Sequence, residues 1–269
     1  MKIISNKKRL LNLIRFENNL GLVPTMGAIH KAHISLIKKS ISMCKKTIVT
    51  IYVNKPQFNR NIDFIKYPRN LKEDIRYLKN QKIDYLYLPT NKQIYSAPPN
   101  KKIKIDPLSK KLDGKFRPGH FEAVVDVVDR LVKIINPSKI FFGQKDMQQL
   151  KIVESFINKN HKSIKVIGCK TIREKNGIPY SSINSLLSRS DRLATSKIYK
   201  FLLKNKSKLI KNKSSLKYYK SRIKKFGISK IDYLEIVDVN KMIKPHKKIK
   251  KIKIFLAYFL GSTRLIDNF

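Results

Sequence analysis

Three observations predict an α/β fold: a parallel sheet with helices on both faces, followed by a smaller α+β domain. Short β-branched apolar runs alternate with stretches of helical periodicity along the N-terminal part of the chain. The turns PTMG, NKPQF and GQKD each follow a strand-like run, and open parallel sheets bind ligands at the carboxyl ends of their strands. After Thr171 the alternation stops, which sets the expected domains at 1–170 and 171–269.

GLVPT and TIVTIYV read as buried strands. Between them Ile34, Ile37, Ile41 and Cys44 recur at helical spacing, so residues 21–54 read as strand–helix–strand. NLKEDIRYLKN is a helix with Asn70 as N-cap and Leu71, Ile75 and Leu78 on one face. IDYLYLP is a strand, and a loop rich in Pro and Lys follows it. HFEAVVDVVDRLVKIINP carries an apolar stripe through Val124, Val128, Leu131 and Ile135, stopped by Pro137. KIFF, a helix after Asp146 and IKVIGC continue the alternation. In the second domain a loop, IREKNGIPYSSINS, precedes Lys-rich helices and two strands, DYLEIVDV and IKIFLAYFL. No internal repeat is present.

A chain of 269 residues with 42% hydrophobic content has material for a real core and is not a disordered tail. It has no apolar run of bilayer length, and its basic N-terminus lacks the apolar core of a signal peptide. A soluble cytoplasmic protein without a membrane partner is expected. Cys44 and Cys169 match no metal spacing and read as buried thiols. The net charge of +42 suggests a nucleic-acid binder on one reading and compositional drift toward Lys, Ile and Asn on the other. The lysines are dispersed, densest from Lys197 to Lys253, without the aromatic interleaving of a single-strand platform. Drift is the reading adopted, so no specific nucleic-acid partner is expected.

Five clusters carry possible chemistry. His30 and His33 stand where a strand hands over to a helix, whose N-terminal amides and dipole attract phosphate. Pro24 fixes that turn and Gly27 permits close approach of a ligand. Lys145 and Asp146 open the next such helix, with Gln149 one turn along. Asn54 and Gln57 are amides at a strand end. Arg117 and His120 precede a long helix, and Ser181 and Ser182 lie on a loop. Each cluster also has a bland reading: surface histidines, a helix cap at Asp146, ordinary loop polars, a solvated arginine and an ST-turn.

Their order along the chain says more. PTMG-x-x-H-x-x-H, YVN-x-x-QF, YPR, RPGHF, GQKD-x-QQ, SS-x-N and LGSTRLIDN together resemble the pantoate–β-alanine ligase family nearly end to end. The resemblance is weakest from Lys197 to Ile249. The H-x-x-H element alone is shared with the wider nucleotidyltransferase superfamily, including class I aminoacyl-tRNA synthetases.

This resemblance implies a Rossmann-like, nucleotidyltransferase-type N-terminal domain and a small C-terminal lid. It implies a homodimer that uses ATP and Mg²⁺ to join pantoate to β-alanine through a pantoyl adenylate, releasing pyrophosphate and AMP. Met26, Gly27, Ala28, Ile29, His30, Lys31, Ala32 and His33 then match the first ATP segment, with His30 and His33 on the phosphates and His33 in the proton-donor position. Gly143, Gln144, Lys145 and Asp146 match the second, with Lys145 on phosphate and Asp146 on ribose. Ile172, Tyr180, Ser181, Ser182 and Ile183 complete the nucleotide site. Gln57 and Gln149 match the pantoate-binding glutamines, with Gln57 also near β-alanine. Asp74 is the expected Mg²⁺ carboxylate, with Glu73 as the alternative. Tyr67, Arg117 and His120 fall on cavity positions. An amide at Gln57 has a chemical logic, because it orients a carboxylate nucleophile without neutralising it.

Four residues depart from the family pattern. Ala32 and Ala123 replace glycines, the proline of NPxQF has moved next to Gln57, and Ile183 replaces an arginine that would meet phosphate. Loss of one such charge-assisted contact is worth roughly 1.5–3 kcal/mol, so a slower enzyme is expected. The rivals are another adenylylating nucleotidyltransferase, a basic nucleic-acid-binding protein without catalysis, and a decayed family member.

Overall fold

The computed structural model describes residues 1–100, 103–212, 215–240, 242 and 251–269, so part of the Lys-dense stretch lies outside the described residues. The chain forms two compact units, Met1–Thr171 and Ile172–Phe269.

The first unit runs β1 (Lys2–Ile4), α1 (Lys7–Ile14), β2 (Leu20–Thr25), α2 (Lys31–Met43), β3 (Lys46–Ile51), α3 (Asn61–Ile65), α4 (Leu71–Lys79), β4 (Tyr85–Tyr87), α5 (Asn91–Ile94), α6 (Asp113–Phe116), α7 (His120–Ile135), β5 (Lys139–Gly143), α8 (Met147–Asn160) and β6 (Lys165–Cys169). Its six strands form one sheet in the order β1-β4-β3-β2-β5-β6, parallel throughout, with helices around it. The strands were legible because sheets buried on both faces are made of continuous apolar runs. Leu22, Val23, Ile48, Val49, Leu86 and Phe141 are all wholly buried. β1 carries no sequence signal of its own: three residues are too few to show a period, and its partner β4 lies far along the chain.

Two helical faces differ from their sequence patterns. Ile41 of α2 is 39% exposed, while Ser40 is buried and shares a hydrogen bond with Thr47. On α4, Leu71 is exposed and Asp74 takes the buried position beside Leu78. Gly21 in β2 lets α2 lie close on the sheet, since a side chain there would run into Ser40 and Cys44. Pro24 has no N–H to donate, and the β2–β5 ladder ends before it, at Leu22. Asn136 closes α7 in the left-handed conformation, φ 48°, and Pro137 follows. Cys169 is buried and Cys44 half-buried, and burial pushes both thiols up.

The second unit contains α9 (Arg189–Lys204), α10 (Lys206–Lys211), α11 (Leu216–Lys224) and the antiparallel sheet β7 (Lys230–Asp238), β8 (Ile252–Leu260), β9 (Thr263–Asn268). Ile198, Leu202, Ile223, Leu234 and Leu256 make its core. Arg173 grips Asp267 of β9 through two hydrogen bonds, at 2.7 and 2.8 Å. Among the described residues no helix is long and apolar enough to cross a membrane.

Candidate active site

From β2 the chain proceeds outward through β3 and β4, then returns to place β5 on the other flank of β2. The crevice at such a reversal, at the carboxyl ends of the strands, is the ligand position of open α/β sheets. The turn Met26–His30 leaves β2 here, and Gly143–Asp146 leaves β5.

The first turn is backbone under constraint. Gly27 has φ 84° and Ala28 has φ 49°, a left-handed value uncommon for a residue with a Cβ. Asp74 holds it: its Oδ2 accepts the Ala28 N–H at 2.9 Å and its Oδ1 the Ile29 N–H at 2.7 Å. Thr25 Oγ1 accepts the Gly27 N–H and donates to the Thr50 carbonyl, tying the turn to β3.

His30 is the N-cap of α2 and His33 stands in its first turn. Their rings stack, with centroids 4.0 Å apart and planes 18° from parallel. The His30 N–H points to His33 Nδ1 at 3.4 Å, which leaves the His33 proton on Nε2. Burial, reinforced by the Lys145 ammonium, pulls His30 down to about 4, with Asp146 opposing. Burial and the His30 ring hold His33 well below its usual value. Both imidazoles are therefore neutral near pH 7, and positive charge at this end of the sheet comes from Lys145, whose ammonium lies 3.4 Å from Asp146. Asp146 is the N-cap of α8 by position, but its side chain makes no cap bond.

Gln57 is set by a network that sequence reasoning missed. Asn54, 1% exposed, donates from Nδ2 to Gln57 Oε1 at 3.2 Å and to the Ala123 carbonyl at 3.1 Å. Tyr95 donates its hydroxyl to Asn54 Oδ1 at 2.7 Å. The Gln57 carbonyl meets His120 Nδ1 at 2.8 Å, and Asn59 donates to the Pro118 carbonyl. His120 is buried and braces this loop. Gln57 Nε2 lies 2.9 Å from the sulfur of Met26, so the amide and the first turn meet. Pro56 is the second residue of the short 3₁₀ turn Lys55–Gln57, where its missing N–H is harmless, and the moved proline leaves Gln57 in this network. Of the two glutamines opening α8, Gln148 is buried on Asp113 N–H and the Leu108 and Lys111 carbonyls, while Gln149 remains partly exposed. Arg117 ends α6, its carbonyl accepting the His120 N–H, and Tyr67 packs edge-on against Phe58.

In the second unit Tyr180 N–H bonds the Ile172 carbonyl, and Asn184 Nδ2 bonds the Pro179 carbonyl. Ser181 starts the 3₁₀ turn Ser182–Leu186. Ile183 packs against that unit's hydrophobic core.

The family model for pantoate-β-alanine ligase matches residues 2–269. The chain belongs to the pantoate–β-alanine ligase family. It is 38% identical to the pantothenate synthetase of Flavobacterium psychrophilum, over 97% of this chain and 95% of that one. It is 35% identical to that of Sulfurihydrogenibium, over 100% and 99%. A crystal structure of the Francisella tularensis pantoate-β-alanine ligase, complexed with β-γ ATP and β-alanine, superposes with a TM-score of 0.86 at 34% identity, covering 100% of this chain and 97% of that one. The Thermus thermophilus pantothenate synthetase gives 0.88 at 27% identity, covering 100% and 99%.

Two of the four departures from the pantoate–β-alanine ligase pattern are accommodated by the backbone. Ala32 lies within α2 and is not among the residues with positive φ, so its methyl imposes no strain. Ala123 contributes its carbonyl to Asn54 and lies inside α7. Asp74, the expected metal ligand, is engaged by the first turn. Both its oxygens already accept backbone N–H, it is 4% exposed, and burial raises its pKa. Both bonds brace the turn. Glu73, the alternative, keeps a carboxylate 52% exposed, near Asn70 and Arg76. Among the described residues no three His, Cys, Asp or Glu side chains cluster to hold a metal.

Proposed function

We infer that this ligase joins pantoate to β-alanine in two steps at the carboxyl ends of β2, β3 and β5. A pantoate carboxylate oxygen attacks the α-phosphorus of ATP, the bond to the β-phosphate oxygen breaks, and pyrophosphate leaves. The β-alanine amine then attacks the acyl carbon of the adenylate, AMP departs, and the amine's proton is lost. The ATP and β-alanine in the Francisella structure support these ligands.

One observation carries this reading: the Gln57 amide touches Met26 of the same turn that bears the histidines. An amide suited to a carboxylate and N–H donors suited to phosphate thus adjoin, as an in-line attack requires. His30 and His33 serve as neutral N–H donors to phosphate, and Lys145 supplies the point charge. Gln57 and Gln149 orient pantoate. Magnesium would enter with the triphosphate and offset its charge, and of the two carboxylates the resemblance offers for it, Asp74 and Glu73, Glu73 is the more exposed. The assignment of Ile172 and Tyr180 to Ile183 to nucleotide binding rests on the resemblance, as does the expectation of a cytoplasmic homodimer.

The test is stoichiometry. ATP, pantoate and β-alanine supplied together yield one AMP and one pyrophosphate per amide formed. ADP with phosphate, or a product that retains the nucleotide, refutes the reading.

A further inference from the structure

We propose that Tyr95 is a positioning residue for the acid substrate, acting through Asn54 to keep the N–H end of the Gln57 amide turned toward the carboxylate. The inference rests on Gln57 binding pantoate.

The geometry fixes each amide in turn. The Ala123 carbonyl can only accept, so the nearby end of Asn54 is Nδ2, at 3.1 Å. Oδ1 then faces Tyr95, whose hydroxyl must donate, at 2.7 Å. The second Nδ2 hydrogen goes to Gln57, so the Gln57 atom facing it is Oε1. Only Nε2 is left to point outward, where its neighbour is the Met26 thioether, a weak acceptor. A carboxylate displaces such a partner readily. A reversed Gln57 would present a carbonyl oxygen to the carboxylate and repel it.

Tyr95 is itself held. The Arg130 guanidinium lies 4.5 Å above its ring and is fixed by Asp126 and the carbonyls of Ile94, Ala97 and Pro98. Burial, with the Asp126 carboxylate nearby, pushes the phenol up and keeps it a donor. Without the hydroxyl, Oδ1 of the buried Asn54 has no donor. The side chain relieves that cost by rotating, which takes Nδ2 off Gln57 and lets its amide turn.

The experiment compares Tyr95→Phe, Gln57→Ala and the double variant, with Tyr52→Phe as control. Tyr52 lies beside Tyr95, ring centroids 6.5 Å apart, but its hydroxyl bonds Asn91. Phe at 95 keeps the ring and its stacking on Arg130. The expected result is a KM for pantoate raised about five- to tenfold by Tyr95→Phe, the size of one lost hydrogen bond. The KM for ATP and the melting temperature stay near wild type, and Tyr52→Phe changes neither KM. In the Gln57→Ala background Tyr95→Phe adds nothing, because the relay has lost its end. An unchanged pantoate KM, equal rises in both KM values, or a full additional effect on top of Gln57→Ala overturns the relay alone. If Gln57→Ala itself leaves the pantoate KM unchanged, the assignment of Gln57 fails and the relay fails with it.

Discussion

The Asp74 carboxylate of α4 accepts the Ile29 N–H at 2.7 Å across 45 residues of chain, with Ala28 bound to its other oxygen. The side chain that the resemblance makes a metal ligand holds the turn that presents the histidines. Asp74→Ala should destabilise the first unit by about 1.5–3 kcal/mol, the cost of two orphaned buried amides, and weaken ATP binding. The Mg²⁺ concentration giving half-maximal activity should stay put. Glu73→Gln should do the reverse, raising the Mg²⁺ requirement at nearly unchanged stability. Chemical denaturation and Mg²⁺ titration of both variants check this pair.

The same turn makes two backbone predictions. Ala28 sits at φ 49°, so Ala28→Gly should stabilise by about 1 kcal/mol. Gly27→Ala should destabilise, since a Cβ there meets Asp74 Oδ2 at 2.9 Å and Ile51 Cγ2 at 3.2 Å at a φ of 84°. A pair of melting curves that moved in the same direction would contradict the geometry.

Histidine protonation gives a signed pH dependence. His30 is lowered to about 4 from 6.5, so between these values the unfolded chain binds more protons than the folded one. Stability should therefore fall as pH drops from 6.5 toward 4, with His33 adding in the same direction. Above about 7.5 both rings are almost wholly neutral in either state and the slope vanishes. Affinity for the magnesium–ATP complex, measured by calorimetry, should vary less than about twofold from pH 6.5 to 8. A histidine of ordinary pKa holding phosphate as a cation would lose about tenfold or more of its charged form over that range.

Lys145 couples to this. Its ammonium lowers His30, so Lys145→Met should raise the His30 pKa while weakening ATP binding. Proton NMR titration of His30 reads the first effect, and calorimetry the second. An unmoved His30 resonance would show that the two groups do not sense each other.

What the sequence made legible follows from distance along the chain. Strands, helices and the turns that leave β2, β3 and β5 are local patterns: apolar runs, periodicity, and Gly or Pro at the ends. The parallel arrangement then puts Met26, Gln57 and Lys145 at strand ends. The jobs of individual polar residues were not legible, because partners decide them. Asp74 reads as a surface carboxylate until Ile29 is beside it, and His120 as a cavity residue until the Gln57 carbonyl meets its Nδ1. Asn54 looks like any loop amide, yet it is buried between Tyr95, Gln57 and Ala123. Ile183 read as a gap in a phosphate site, and its side chain lies on the core of its own unit.

The most direct test of adenylate chemistry omits β-alanine. With the enzyme in stoichiometric amount, ATP and pantoate should release pyrophosphate in a burst equal to the enzyme, with pantoyl adenylate recovered on quenching. β-Alanine added afterwards should convert that adenylate to the amide and AMP. Pyrophosphate that appears only once β-alanine is present would contradict activation of the acid before the amine attacks.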